Sequence, residues 1–66
     1  MQLYCIGYTE NDSPTGKVLS WKKSSNGDDD VYEDYGLALE ANENDGWRGY
    51  VLEYPQGIHP GWKAKN

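Results

Sequence analysis

The stretch "NGDDDVYEDYGLALEANENDG", residues 26–46, carries eight of the eleven acidic residues of a 66-residue chain and no Lys or Arg. The fold turns on whether it is helix or strand. At helical spacing Val31, Tyr35, Ala38, Leu39 and Asn42 follow i, i+4, i+7, i+8 and i+11, while Asp30, Glu33, Asp34 and Leu37 fall on the opposite side. A strand would turn Val31, Glu33, Tyr35, Leu37 and Leu39 inward together and bury the Glu33 carboxylate. The pattern therefore predicts a helix over residues 30–41 that buries Val31, Tyr35, Ala38 and Leu39. Asp30 followed three residues later by Glu33 resembles a capping box. Asp28, Asp29 and Asp30 would then face the positive end of the helix dipole, and Gly46 suits the other end. Two features oppose the helix: Gly36 costs about 1 kcal/mol relative to Ala, and Glu40, Glu43 and Asp45 crowd the end where the dipole is negative.

Outward from this segment, turn signals at "ENDSPTG" (10–16), "SSNGDD" (24–29), "NENDG" (42–46) and "YPQGIHPG" (54–61) divide the chain into short periodic pieces. "QLYCIGYT" (2–9) sets Leu3, Cys5 and Gly7 against Tyr4, Ile6 and Tyr8, the alternation of a strand. "GKVLSWKK" (16–23) predicts a second strand, joined to the first as a hairpin. "GWRGYVLEYP" (46–55) predicts a third, which Pro55 stops. The expected fold class is α+β: a small antiparallel sheet of three to four strands with one acidic helix packed on it, in a single domain spanning residues 1–66.

Charge is distributed unevenly. Residues 24–47 hold eight acids and no base, a charge of −8, whereas the remainder has three acids against six bases, +3, for a net −5 and a pI of about 4.5. Such a molecule repels nucleic acid and anionic membrane and attracts basic protein surfaces. A chain of this length buries only about 60% of its unfolded surface, and its lone cysteine, Cys5, can form no internal bridge. "MQLYCIGYTEND" lacks the basic start and apolar run of a secretory signal. The expectation is a cytoplasmic protein of a bacterial host cell, with no membrane or direct nucleic-acid partner, and monomeric.

Residue types that could carry chemistry are sparse. His59 in "GIHPG" has no His or Cys near it in sequence and reads as a loop histidine. Cys5 sits in a predicted strand and reads as a small buried apolar residue, inert as a nucleophile. No catalytic set, metal ligand set or cofactor is expected, and the chain reads as a non-enzyme. An EF-hand loop needs oxygen ligands at positions 1, 3 and 5, Gly at 6 and Glu at 12. Starting at Asn26 places Val31 and Leu37 at the last two, and no register from Asn26 to Asp34 works. Trp21, Trp47 and Trp62 are each followed by a base, a pattern that can make a stacking groove for single strands. Adjacent strand residues point to opposite faces, however, so a buried Trp beside an outward base is what a solvated sheet requires.

The acidic segment remains. Carboxylates three or four apart on a helix lie about 5–6 Å apart, near the spacing of phosphates along a DNA strand, so a fold can display a row of negative charge to a Lys- and Arg-lined groove. The candidate phosphate mimics are Asp28, Asp29, Asp30, Glu33, Asp34, Glu40, Glu43 and Asp45, with Tyr32 and Tyr35 as candidate anchors. Neutralising Asp29, Asp30, Glu33 and Asp34 together is expected to abolish binding and spare the fold, and changing Lys22 and Lys23 to matter less. In size, single-domain α+β reading and the run "DDDVYED…EANEND", the chain resembles the small acidic phage-encoded anti-CRISPR proteins that mimic double-stranded DNA. That resemblance implies an inhibitor that blocks the DNA-recruiting surface of a CRISPR effector. The alternatives are an immunity or antitoxin-type module that neutralises a basic nuclease or other basic protein, and a structural subunit whose open sheet edge pairs with a second copy.

Overall fold

The computed structural model describes residues 1–61. In chain order it contains β1 (Leu3–Thr9), a short 3-10 turn (Glu10–Asp12), β2 (Val18–Trp21), α1 (Tyr35–Asn44) and β3 (Tyr50–Tyr54). The strands form one antiparallel sheet in the order β2-β1-β3, with α1 packed against it, an α+β arrangement.

The alternation of β1 builds the core on both faces. Ile6 pairs with Val51 and, with Ala38 of α1, forms the buried centre under the helix. Tyr4, Tyr8, Tyr32, Tyr35, Leu39 and Ala41 pack around it. On the other side, Cys5 pairs with Leu52 and both are fully buried. Trp21 lies over Gly7, where an added Cβ would come within 2.8 Å of Leu52 Cδ1 and 3.1 Å of Trp21 Cζ3. The indole of Trp21 then meets the Tyr54 ring edge-on, centroids 5.1 Å apart. Aromatic rings thus supply bulk that a chain without Phe and with few aliphatic residues must find elsewhere.

The helix begins at Tyr35, later than its sequence pattern predicts. Residues 29–32 are extended, and their backbone groups are already engaged: the Asp30 N–H donates to Lys22 O (3.0 Å), and Tyr32 exchanges hydrogen bonds of 2.7 and 2.8 Å with Tyr4. A chain held in this way cannot begin a helix at Asp30. Val31 consequently turns outward, 39% exposed, and Tyr32 takes an inward place. The N-cap is Asp34, whose side chain accepts from the Gly36 N–H (2.8 Å); Asp30 and Glu33 form no capping box.

Helix α1 runs to Asn44, three residues past the predicted end at 41, and Gly46 closes it as its sequence suggests. Gly46 adopts φ +81°, its N–H donates to Glu43 O, and the Trp47 N–H donates to Asn42 O, both at 2.9 Å. This pair of bonds is a Schellman motif, which satisfies carbonyls that the last helical turn would otherwise leave open. It takes residues 46–49 out of the predicted third strand, so β3 starts at Tyr50. Trp47, expected inside that strand, sits in the turn, 58% exposed. Trp62 and Lys63 lie outside the described residues.

Candidate functional site

The eight acids of the segment separate into two groups of different character. Asp29, Asp30, Asp34 and Asp45 are tied into the fold. The Asp29 carboxylate forms an ion pair with Lys23 and accepts from the Tyr54 hydroxyl (2.6 Å). Those bonds, Lys23 first, hold its carboxyl below the usual range. Asp30 accepts from the Tyr32 hydroxyl (2.7 Å), has Lys22 Nζ at 3.9 Å, and takes the Cys5 thiol on its backbone oxygen (3.2 Å). Asp45 accepts from the Tyr8 hydroxyl (2.9 Å) and from Arg48 (3.0 Å), while Arg48 Nε also donates to its backbone oxygen. The Tyr8 bond leads in lowering its carboxyl. Asp34 caps the helix.

This pairing corrects the expectation that Lys22 and Lys23 stand outside the acidic stretch. They are the counter-charges of Asp30 and Asp29, brought opposite by a hairpin closed through Ser24, Asn26 and Gly27. The signal lay in "KKSSNGDDD": a turn between two bases and three acids brings unlike charges opposite one another, Asp29 and Asp30 facing Lys23 and Lys22. It also follows that neutralising Asp29, Asp30, Glu33 and Asp34 together would strip the hairpin and the helix cap along with the charge.

The second group is Asp28, Glu33, Glu40 and Glu43. All four are exposed, and among the described residues none takes part in an ion pair. Leu37, 55% exposed, lies on the outer face of α1. Its helical neighbours on that face are Asp34 and Glu40, three residues to either side, with Glu33 just beyond the N-cap. The arrangement is an apolar centre with an acidic surround, on the side of α1 away from Ala38. Neither end of α1 carries a basic residue to offset it, and Glu43 occupies the turn where the dipole is negative.

Tyr32 and Tyr35, candidate anchors by sequence, are placed within the core. Tyr32 is half-buried, and its hydrogen bond to Asp30, followed by burial, pushes its hydroxyl up to about 12. Tyr35 meets Tyr4 edge-on, centroids 5.4 Å apart. The exposed large side chains beside these acids include Leu37 and, past the helix end, Trp47, neither of which was a candidate anchor by sequence. Leu37 was findable, since the helical count already set it among the acids.

The remaining groups offer little reactivity. Cys5 is fully buried, and desolvation, aided by the nearby Asp29, pushes its thiol up to about 11. His59 Nδ1 accepts from the Gly61 N–H (3.1 Å), the loop role expected of it. Among the described residues no His, Cys, Asp and Glu side chains gather as a metal-ligand set, and no helix is long and apolar enough to cross a membrane. No family model matches the sequence, and neither a curated protein nor a solved structure matches the chain.

Proposed function

We propose that the protein is a non-enzymatic inhibitor that presents the outer face of α1, with Glu33, Leu37, Glu40 and Glu43, to a basic nucleic-acid-binding groove, as a mimic of duplex DNA. The observation that carries this reading is the charge of that face, which takes part in no ion pair among the described residues. Four acids elsewhere in the segment are paired or cap the helix, yet Glu40 and Glu43 remain exposed, Glu43 in the last turn of a helix that its charge destabilises. Charge kept against stability is characteristic of a binding surface. The spacing of about 5–6 Å between side chains three or four apart suits Lys and Arg positions that read phosphates. The DNA-recruiting surface of a CRISPR effector is the partner that the resemblance in size and charge layout suggests.

Leu37 favours a second reading. Duplex DNA has no exposed aliphatic centre on its backbone, whereas an immunity-type module that neutralises a basic nuclease would use one as an anchor inside a charged rim. Competition separates the two. Affinity capture from a bacterial lysate, eluted by salt, should recover a basic protein. The triple variant Glu33→Gln/Glu40→Gln/Glu43→Gln should keep the fold and lose the partner. Duplex DNA should compete for the partner under the mimic reading, and Leu37→Ala should weaken binding under the immunity reading. Wild-type affinity in a folded triple variant would reject both.

A further inference from the structure

A cavity of about 190 Å³ opens beside the C-terminal half of α1, away from the acidic outer face. Tyr35, Trp47, Tyr50 and His59 line it with π surface, and the exposed Asp12 and the buried Asn42 contribute polar groups. Tyr50 fixes the wall on one side, donating its hydroxyl to Asp12 O (2.8 Å), and the His59 ring meets Tyr50 edge-on, centroids 6.1 Å apart. Two features of this site are unexplained by folding. Trp47 holds φ +60° with most of its indole exposed, a backbone conformation that a bulky side chain adopts at a cost. Asn42, 3% exposed, donates Nδ2 to Gly49 O (3.0 Å), but its Oδ1 has no partner among the described residues. A buried acceptor left open is rare enough to ask what fills it.

We propose that this cavity receives the guanidinium group of an arginine side chain. Aromatic faces attract cations within about 6 Å, and a planar guanidinium stacks on them where an ammonium cannot. Its N–H donors match the carboxylate of Asp12, a residue of the lining. The volume lies below the roughly 300–1,000 Å³ of sites for larger ligands, which limits the occupant to one side-chain head. An acidic residue in the lining and a net charge of −5 favour a cation over an anion. That the arginine belongs to a basic partner protein rests on the function proposed above; the chemistry of the cavity does not.

The full chain titrated with N-acetylarginine amide, followed by amide chemical shifts, should show saturable changes centred on Tyr35, Asn42, Trp47, Gly49 and Tyr50. The citrulline counterpart, neutral and nearly the same shape, should bind about two- to five-fold more weakly, the loss expected when cation–π attraction at a partly exposed site is removed. Asp12 holds φ +50°, which Asn adopts as readily, so Asp12→Asn should weaken arginine without weakening citrulline. Trp47→Gly should weaken arginine too, and far-UV circular dichroism checks that it stays folded. Equal binding of arginine and citrulline, or shifts centred on Glu33, Glu40 and Glu43, would overturn the proposal. If arginine binds here while the triple acid variant still captures its partner at full affinity, the functional reading fails and the cavity stands. If the triple variant loses the partner while arginine leaves these residues unshifted, the arginine site fails and the functional reading stands.

Discussion

Trp47 offers a test in which a side chain and its backbone can be separated. The residue occupies the left-handed region immediately after Gly46, which the Schellman bonds hold in its own left-handed conformation. For an L-residue that region costs roughly 1–2 kcal/mol. Against this stands the buried portion of the indole. With 58% of the residue exposed, about two-fifths of a side chain worth roughly 150–250 Å² is removed from water, or about 1.5–2.5 kcal/mol at ~25 cal/mol/Å². Trp47→Ala loses that contact and keeps the strain, so it should destabilise by about 1.5–2.5 kcal/mol. Trp47→Gly loses the contact and the strain together, offset by roughly 0.4–1 kcal/mol of extra freedom in the unfolded chain. Gly should therefore exceed Ala by about 1 kcal/mol, the reverse of the usual order. Urea unfolding followed by far-UV circular dichroism reads this difference as a midpoint higher by about 1 M for Gly, with m near 1 kcal/mol/M for so small a domain. An alanine variant as stable as the glycine variant would refute both the strain and the reading of the helix end.

Four further outcomes follow from charges, caps and buried hydroxyl and thiol groups. Asp34→Ala should destabilise by about 0.5–2 kcal/mol through loss of the N-cap, whereas Glu43→Lys should stabilise by about 0.3–1 kcal/mol at low salt; thermal melts at low ionic strength report both. On the acid side, Asp29 and Asp45 have carboxyls lowered by their partners. Their contribution is present above the ordinary carboxylate range near pH 4 and lost as pH falls through the lowered folded values, so Lys23→Ala should flatten the acid limb of a stability–pH curve. On the alkaline side, the Cys5 thiol is raised from 9.0 to about 11 and the Tyr32 hydroxyl from 10.0 to about 12. Both favour the folded state at neutral pH and lose that contribution as pH rises, beginning near pH 9 with Cys5. Cys5→Ala should move the onset of the alkaline loss toward pH 10.

The strands and the existence of the helix were legible because they rest on local periodicity. The alternation in residues 3–8 sends Tyr4, Ile6 and Tyr8 to one face and Cys5 and Gly7 to the other, and Tyr35, Ala38, Leu39 and Asn42 recur at helical spacing. The helix start was not legible, because the Tyr32 bridge to Tyr4 joins residues remote in sequence, and no local pattern records it. Val31 fits the helical count as well as Tyr35 does, and only the sheet decides between them. The acidic face was half legible. Glu33, Leu37 and Glu40 fall together on a helical wheel, but a tally of like charge counts Asp29, Asp30 and Asp45 equally, although tyrosine hydroxyls and bases have already claimed them. Trp47 was misplaced because "NENDG" ends the helix with a turn that continues one residue past its glycine.

The position of β1 at the centre of the sheet also orders the folding reaction. Its two neighbours differ greatly in chain distance: Tyr8 meets Ser20 across a short loop, whereas Cys5 meets Leu52 and Leu3 meets Tyr54 only after the hairpin, the acidic segment and the whole of α1 have been traversed. Closing the first loop loses less chain entropy than closing the second. The β1–β2 hairpin therefore forms early, with one side of Ile6 and Cys5 still bare, and the domain becomes cooperative when β3 arrives carrying Val51 and Leu52. Interactions such as the Ile6–Val51 contact then govern how fast the protein folds, while those at the helix end govern how long it stays folded.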